Sequence, residues 1–323
     1  MLKIGVLGVG HLGKIHLKCI NSIKNYDLIG FFDTNDKQAR QVSETYGIHR
    51  YHNYLDLIDD ADVISIVTPT ASHYEYAKAA LTRSRHVFIE KPLVNNIKEA
   101  EELIKLAEEA EVKVQVGHVE RFNPAFLSIK DKLRNPMFME AHRLSDFNPR
   151  GLDVPVVYDL MIHDIDIILG VVNSSIKRIS ASGVPVISDT PDIANARIEF
   201  DNGAVANLTA SRISLKKMRK IRFFQRDAYI NVDFLNKHAE LIKLKDQKEP
   251  ANLSGRLKTI SIPGFEHKKI NIYQPEIIES NAIQTELQYL YQAIKQDKQP
   301  VVNINDGYNA LFVAQTIMDK MRL

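Results

Sequence analysis

LKIGVLGVGHLG, residues 2–13, decides how the first third of the chain folds. LKIGVL is an apolar run of strand length, and a helical pattern with Leu17, Ile20 and Ile23 follows the glycines. Between them Gly8, Gly10 and Gly13 stand in G-x-G-x-x-G register. The first glycine permits a tight turn, the second lets backbone approach a pyrophosphate, and the third lets helix and strand pack closely. The helix N-terminus adds partial positive charge. Glycines alone are a weak signal, but an acidic residue ends the next strand: Asp33, 20 positions after Gly13. Its carboxylate would accept hydrogen bonds from the adenosine ribose hydroxyls. Thr34 and Asn35 follow, with no arginine for a 2′-phosphate, so NAD is favoured over NADP.

The pattern continues outward from this loop. LIGFFD (28–33), ADVISIVTPT (61–70), RHVFIEKP (85–92) and VKVQVG (112–117) read as further strands. NDKQARQVSETYG, ended by Gly47, YEYAKAALTRS and IKEAEELIKLAEEAE read as the helices between them. Strands alternating with such helices predict an α/β Rossmann fold, a doubly wound parallel sheet covered on both faces, over residues 1–120. Thr68, Pro69, Thr70 and His73 stand at the C-terminal end of the third strand, where an open α/β sheet takes its cofactor. His11 and Leu12 complete the glycine loop.

The chain has 323 residues, enough for two domains, so 121–323 is read as a second one. ANARIEFDNGAVANLTASR (194–212) alternates about Asn202-Gly203, a hairpin signal. IRFFQRDAYINVDF (221–234) repeats that pattern about Arg226-Asp227. Helices are expected from Asn281 and from Asn305 as N-cap, and a loop region over 245–270. A net charge of +2 gives no field for nucleic acid or a membrane surface. SLKKMRKIRFFQR (214–226) gathers six basic residues, but strand alternation makes it a solvated or interface face. No apolar run reaches the length of a membrane span. The start is too short and glycine-broken for a signal peptide. The single Cys19 fits a reducing compartment, so a cytoplasmic location is expected.

YDLMIHDIDI (158–167) threads Asp159, His163, Asp164 and Asp166 through an apolar segment. Buried carboxylates must be paired, solvated or used. At helical spacing Asp159 and His163 are one turn apart, so they can bond each other or face one ligand. A hydrogen bond inside a core is the plain alternative. Asp164 and Asp166 are expected to be solvated or paired.

GVGHLGKIH, VTPTASH, VFIEKPL and VGHVERFNP, followed by Asp159 and His163, resemble the Gfo/Idh/MocA family along most of the chain. The resemblance implies a C-terminal α+β domain with a large, mostly antiparallel sheet. One face of that sheet would cover nicotinamide and substrate, and the other would join subunits into a dimer or tetramer. It also implies a catalytic set of Lys91, His163 and Asp159. His163 is the leading general base, Lys91 steadies the reacting oxygen or itself takes the proton, and Asp159 orients the site. Glu90 and Pro92 shape the turn at the cofactor, with a cis bond before the proline common in the family. Hydride transfer needs no metal, and none is expected.

HVERFNP with RLSDFNPRGLDVPVVYDLMIHDID resembles a narrower branch, the UDP-N-acetylglucosamine 3-dehydrogenase-like proteins. That resemblance implies oxidation of the 3-hydroxyl of a UDP-amino sugar. Arg121, Arg143 and Arg150 are candidates for its diphosphate, with Asn123 beside them. Pairing of the arginines with Glu140, Asp146 and Asp153 is the alternative. A free-sugar or inositol dehydrogenase and a NAD-sensing regulator are the competing functions. Regulators on this fold tend to lack the lysine or the histidine, and both are present.

Overall fold

Strand β1 (Leu2–Leu7) buries every residue except Lys3, as a strand covered on both faces does. In the computed structural model, which describes residues 1–148, 154–244, 255–262 and 265–321, it leads into α1 (His11–Asn21). The chain continues through β2 (Tyr26–Phe32), α2 (Asp36–Tyr46), α3 (Tyr54–Asp60), β3 (Val63–Ile66), α4 (His73–Leu81), β4 (His86–Glu90), α5 (Ile97–Glu109) and β5 (Val114–Gly117). Asparagine side chains cap α2, α3 and α5: Asn35, Asn53 and Asn96 each accept a first-turn N–H. Gly47 ends α2 in the left-handed region, at φ 65°. The strands pair in parallel in the order β2-β1-β3-β4-β5. The order reverses between β1 and β3, which opens a crevice at their C-terminal ends.

Two compact units emerge from the chain: 1–119 with 281–311, and 120–280 with 312–321. Residues 281–311 thus fold with the parallel sheet, although the sequence pattern placed everything beyond 120 in the second domain. Apolar packing is the reason. Leu287 and Leu290 of α8 (Ala282–Lys295) share a core with Ile4, Val6, Leu17 and Ile20. The Tyr26 hydroxyl donates to the Leu287 carbonyl at 3.0 Å.

The second unit contains α6 (Pro124–Leu127), β6 (Phe138–Leu144), a π-helical turn (Val157–Met161) and α7 (Ile162–Val171). The strands β7 (Ile176–Val184), β8 (Ile193–Phe200), β9 (Val205–Ser211), β10 (Met218–Gln225), β11 (Ala228–Asp233), β12 (His238–Leu244), β13 (Gly255–Ile262) and β14 (Phe265–Pro275) follow. With β6 they make a nine-stranded sheet, ordered β13-β14-β12-β11-β10-β6-β9-β8-β7. Among the described residues, only its β6–β9 pair is parallel. Both expected hairpins are present, and Gly203 turns the first at φ 85°.

Two local expectations are corrected. Residues 255–262 and 265–275 form a strand pair, not a loop, because Thr259, Ile260, Ile270 and Ile272 are β-branched residues that favour extended backbone. Residues 245–254 lie outside the described residues. α9 (Ile304–Met321) starts earlier than expected, because the Asn303 side chain accepts from the N–H groups of Asn305 and Asp306.

Candidate active site

The crevice between β1 and β3 forms a cleft of about 510 Å³. Gly8 and Gly10 line it from one side, Thr68 and Pro69 from another, and Asp33 and Thr34 close its end. Gly8 sits at φ 90°, a conformation that disfavours any side chain. A Cβ on Gly13 would lie 2.1 Å from the Gly8 carbonyl oxygen, so helix and loop touch there. A Cβ on Gly10 would meet nothing within 4 Å, which leaves open space above the first N–H groups of α1. No side chain caps that helix end. The free donors and open space fit a pyrophosphate.

Asp33 is held in place. One carboxylate oxygen accepts from Val9 N–H (2.7 Å) and Gln38 Nε2 (3.2 Å), and the other from Asn35 N–H (2.7 Å). A fixed carboxylate suits ribose hydroxyls and repels a 2′-phosphate, so the residues present fit NAD. Phe32, Gln38, Ser72, Glu75 and Tyr76 also line the cleft and were missed in the sequence. Gln38 had a signal, since it lies one turn into the helix that follows Asp33. His11 is exposed, Leu12 is half-buried beside the core, and Thr70 is half-buried.

His73 is buried between two loops. Its Nε2 lies 2.9 Å from the Thr68 carbonyl and its Nδ1 lies 3.0 Å from that of Pro92. Burial pushes the ring below the ordinary imidazole value, against the pull of those carbonyls. The histidine therefore ties the loop after β3 to the loop after β4. That second loop carries Glu90, Lys91 and Pro92, and the Lys91–Pro92 peptide is cis. Glu90 is buried, and its Oε2 accepts from Lys91 N–H at 3.2 Å. Lys91 itself is half-buried.

In the second unit, burial sorts the four polar residues of 158–167. Asp159 and His163 are half-buried, whereas Asp164 and Asp166 are buried. Asp159 falls in the π-helical turn, an irregularity often found at functional sites. Asp164 takes a forked contact from Arg143, whose Nη1 also donates to Glu120 at 2.8 Å. Burial pushes the Asp164 carboxyl up, and the Arg143 guanidinium opposes that shift. Asp166 receives both Nε and Nη2 of Arg121 at 2.8 Å.

Arg121 and Arg143 are therefore paired, but with other carboxylates than the sequence suggested. Glu140 bonds Arg222, and Asp146 bonds Lys217. Arg143 is 2% exposed, inside its unit and off the open surface. Asn123 is equally internal: its Oδ1 caps α6, and its Nδ2 donates to Glu120 and to the Phe234 carbonyl. Arg150 and Asp153 lie outside the described residues.

Comparison with known proteins agrees with both units. Residues 2–118 match the oxidoreductase family with an NAD-binding Rossmann fold, and residues 135–229 match the GFO/IDH/MocA C-terminal domain. A UDP-N-acetylglucosamine 3-dehydrogenase of Acidithiobacillus ferrooxidans is 38% identical over 236 residues, 73% of this chain and 75% of that protein. The solved structure of UDP-N-acetylglucosamine 3-dehydrogenase GnnA from Acidithiobacillus ferrooxidans has a TM-score of 0.89 at 31% identity, covering 99% of this chain and 97% of that one. A scyllo-inositol dehydrogenase from Lactobacillus casei, with bound NAD(H) and scyllo-inositol, shares the fold at TM-score 0.77 and 18% identity, over 99% of this chain and 97% of that one. With the glycine cradle, the fixed Asp33 and the nine-stranded sheet in place, the chain belongs to the Gfo/Idh/MocA family of NAD-binding oxidoreductases.

Proposed function

We propose that this enzyme oxidises the 3-hydroxyl of a UDP-amino sugar with NAD. The observation that carries the reading is the 38% identity to a UDP-N-acetylglucosamine 3-dehydrogenase over three-quarters of that relative's length. NAD, when bound, accepts the hydride. Lys91 hydrogen-bonds the reacting oxygen and offsets the charge developing on it. His163 takes the hydroxyl proton, a task suited to imidazole near neutral pH, and Asp159 orients it. The Arg121–Asp166 and Arg143–Asp164 pairs hold α7, the helix that presents His163. Arg150 is the candidate for the diphosphate.

Two finer expectations belong to the same reading. The chain assembles as a dimer or tetramer through the outer face of the nine-stranded sheet. Phe138, Phe224, Tyr229, Ile242 and Ile272 stand in one cross-strand row there, which supports an apolar interface. Ile242→Lys places a charge in that row and is expected to yield monomers by light scattering. The second expectation is a cytoplasmic location. Among the described residues no helix is long and apolar enough to cross a membrane.

The test is nicotinamide reduction with UDP-sugars, free sugars and inositols, set against Lys91→Met. Turnover only with a UDP-amino sugar is expected, falling about 10²–10⁴-fold in the variant. NAD affinity should stay within a few-fold of wild type. Turnover of inositols and not of UDP-sugars would move the enzyme to the inositol dehydrogenases.

A further inference from the structure

Glu286 is a buried carboxyl that the proposed chemistry leaves unused. It sits on α8 at 0% exposure, and neither carboxyl oxygen has a hydrogen-bond partner. Its backbone is anchored, since Gln115 Nε2 donates to the Glu286 carbonyl at 2.7 Å. His16, Glu90 and Glu286 each bring a polar atom within 4.8 Å of the other two, and all three are buried. His16 Nε2 lies 3.1 Å from Glu90 Oε1, and His16 Nδ1 lies 3.4 Å from Ser65 Oγ. Gly117 leaves room for the cluster, because a Cβ there would press on Glu90 Oε2 at 3.0 Å. Cys19 on α1 is the further titratable group facing Glu286; β5 supplies none.

Counting protons fixes the charge. With Ser65 donating to Nδ1, the His16 Nε2–H donates a hydrogen bond to Glu90 Oε1. Two buried carboxyls then share one site, and each disfavours a second negative charge there. Glu90 already accepts from His16 and from the Lys91 amide. Glu286 has no donor, so it holds the proton.

We propose that Glu286 is a protonated acid which, with His16 and Glu90, forms a buried triad beneath the Lys91 loop and positions it. Burial, with Glu90 nearby, pushes the Glu286 carboxyl well above its ordinary value. At high pH its proton leaves to solvent, and a negative charge appears under the loop that holds Lys91. The catalytic consequence rests on the role proposed for Lys91. The protonation state does not.

Glu286→Gln mimics the neutral acid. A carboxyl with a raised folded-state pKa stabilises below its unfolded value, and that contribution is lost as pH rises through the folded one. Thermal denaturation of the full chain from about pH 6 to about pH 9 should show wild type losing several degrees relative to the variant. Infrared spectra of protein with ¹³C-labelled glutamate should show a protonated carboxylic acid band at neutral pH in wild type. The variant should lack it. In the NAD assay, the step in rate with alkaline pH should disappear in Glu286→Gln.

A constant stability offset at every pH, or no acid band, overturns the proposal. One equivalent of bound metal, lost in the variant, also overturns it in favour of a cation site. If the variant does not fold, the infrared band in wild type alone decides. If no substrate turns over, the proposed reaction is what has failed, and denaturation and infrared still test Glu286.

Discussion

Gly10 and Gly13 lie three positions apart and should respond to a methyl group in opposite ways. Gly10 has a helix-compatible φ of −61°, and a Cβ there meets nothing. Gly10→Ala should fold as well as wild type, within about 1 kcal/mol, while NAD affinity falls about tenfold or more as the methyl enters the pyrophosphate space. In Gly13→Ala the new Cβ meets the backbone carbonyl of Gly8. It should destabilise the chain by about 1–3 kcal/mol or more, visible as a lower urea midpoint. Titration calorimetry with NAD separates the two effects. The same scale explains what could be read in advance. Gly8, Gly13 and Asp33 follow from backbone requirements that residue type alone announces. Gln38 and Tyr76 reach the cleft through side-chain directions that residue type does not encode.

The element with most at stake is α7. Its two buried aspartates face different arginines, and each pair comes from an element distant in sequence. Arg143→Met would remove the forked partner of Asp164 and leave Glu120 facing Arg219 at 3.9 Å. A loss of about 3–5 kcal/mol is expected in urea unfolding, shrinking as pH falls and Asp164 takes up a proton. Gly170→Ala tests the second pair more gently. Its Cβ would sit 2.8 Å from Arg121 Cζ, where the guanidinium is pinned by Asp166. A loss of about 1–3 kcal/mol is expected. The sequence of 158–167 announced that its charges needed an account, but the partners of Asp164 and Asp166 stand 21 and 45 positions away. Glu286 poses the same question inside the apolar pattern of α8, and its neighbours His16 and Glu90 stand on α1 and β4.

For the whole molecule, two buried acids oppose each other across the pH range. Asp192 is buried in the second unit, and burial alone would raise its carboxyl. The N–H groups of Ile187, Ser188 and Val186, with the Ser188 hydroxyl, outweigh that and hold it well below the usual carboxylate range. A depressed carboxyl stabilises above its unfolded value, and its contribution is lost as pH falls through the folded one. Glu286, in the first unit, fails in the opposite direction. Amide exchange should therefore rise first around β8 in acid and around α8 and β4 in alkali. Asp192→Asn should remove most of the acid limb, while wild type and variant converge at the lowest pH. Equal acid sensitivity in both would sink this assignment.

What the sequence determined by itself was local: the strand and helix alternation, the glycine cradle, Asp33, the Asn202-Gly203 hairpin and the family. Each depends on neighbours a few positions apart or on a motif of fixed spacing. Tertiary structure decided what depends on distant partners. It sent residues 281–311 to the first unit, where their leucines complete its core. It turned Arg121 and Arg143 inward onto aspartates, and gathered His16, Glu90 and Glu286 from three elements. A buried charge shows in the sequence as an unsatisfied requirement. Only the fold, by bringing distant atoms within hydrogen-bond range, says how it is met.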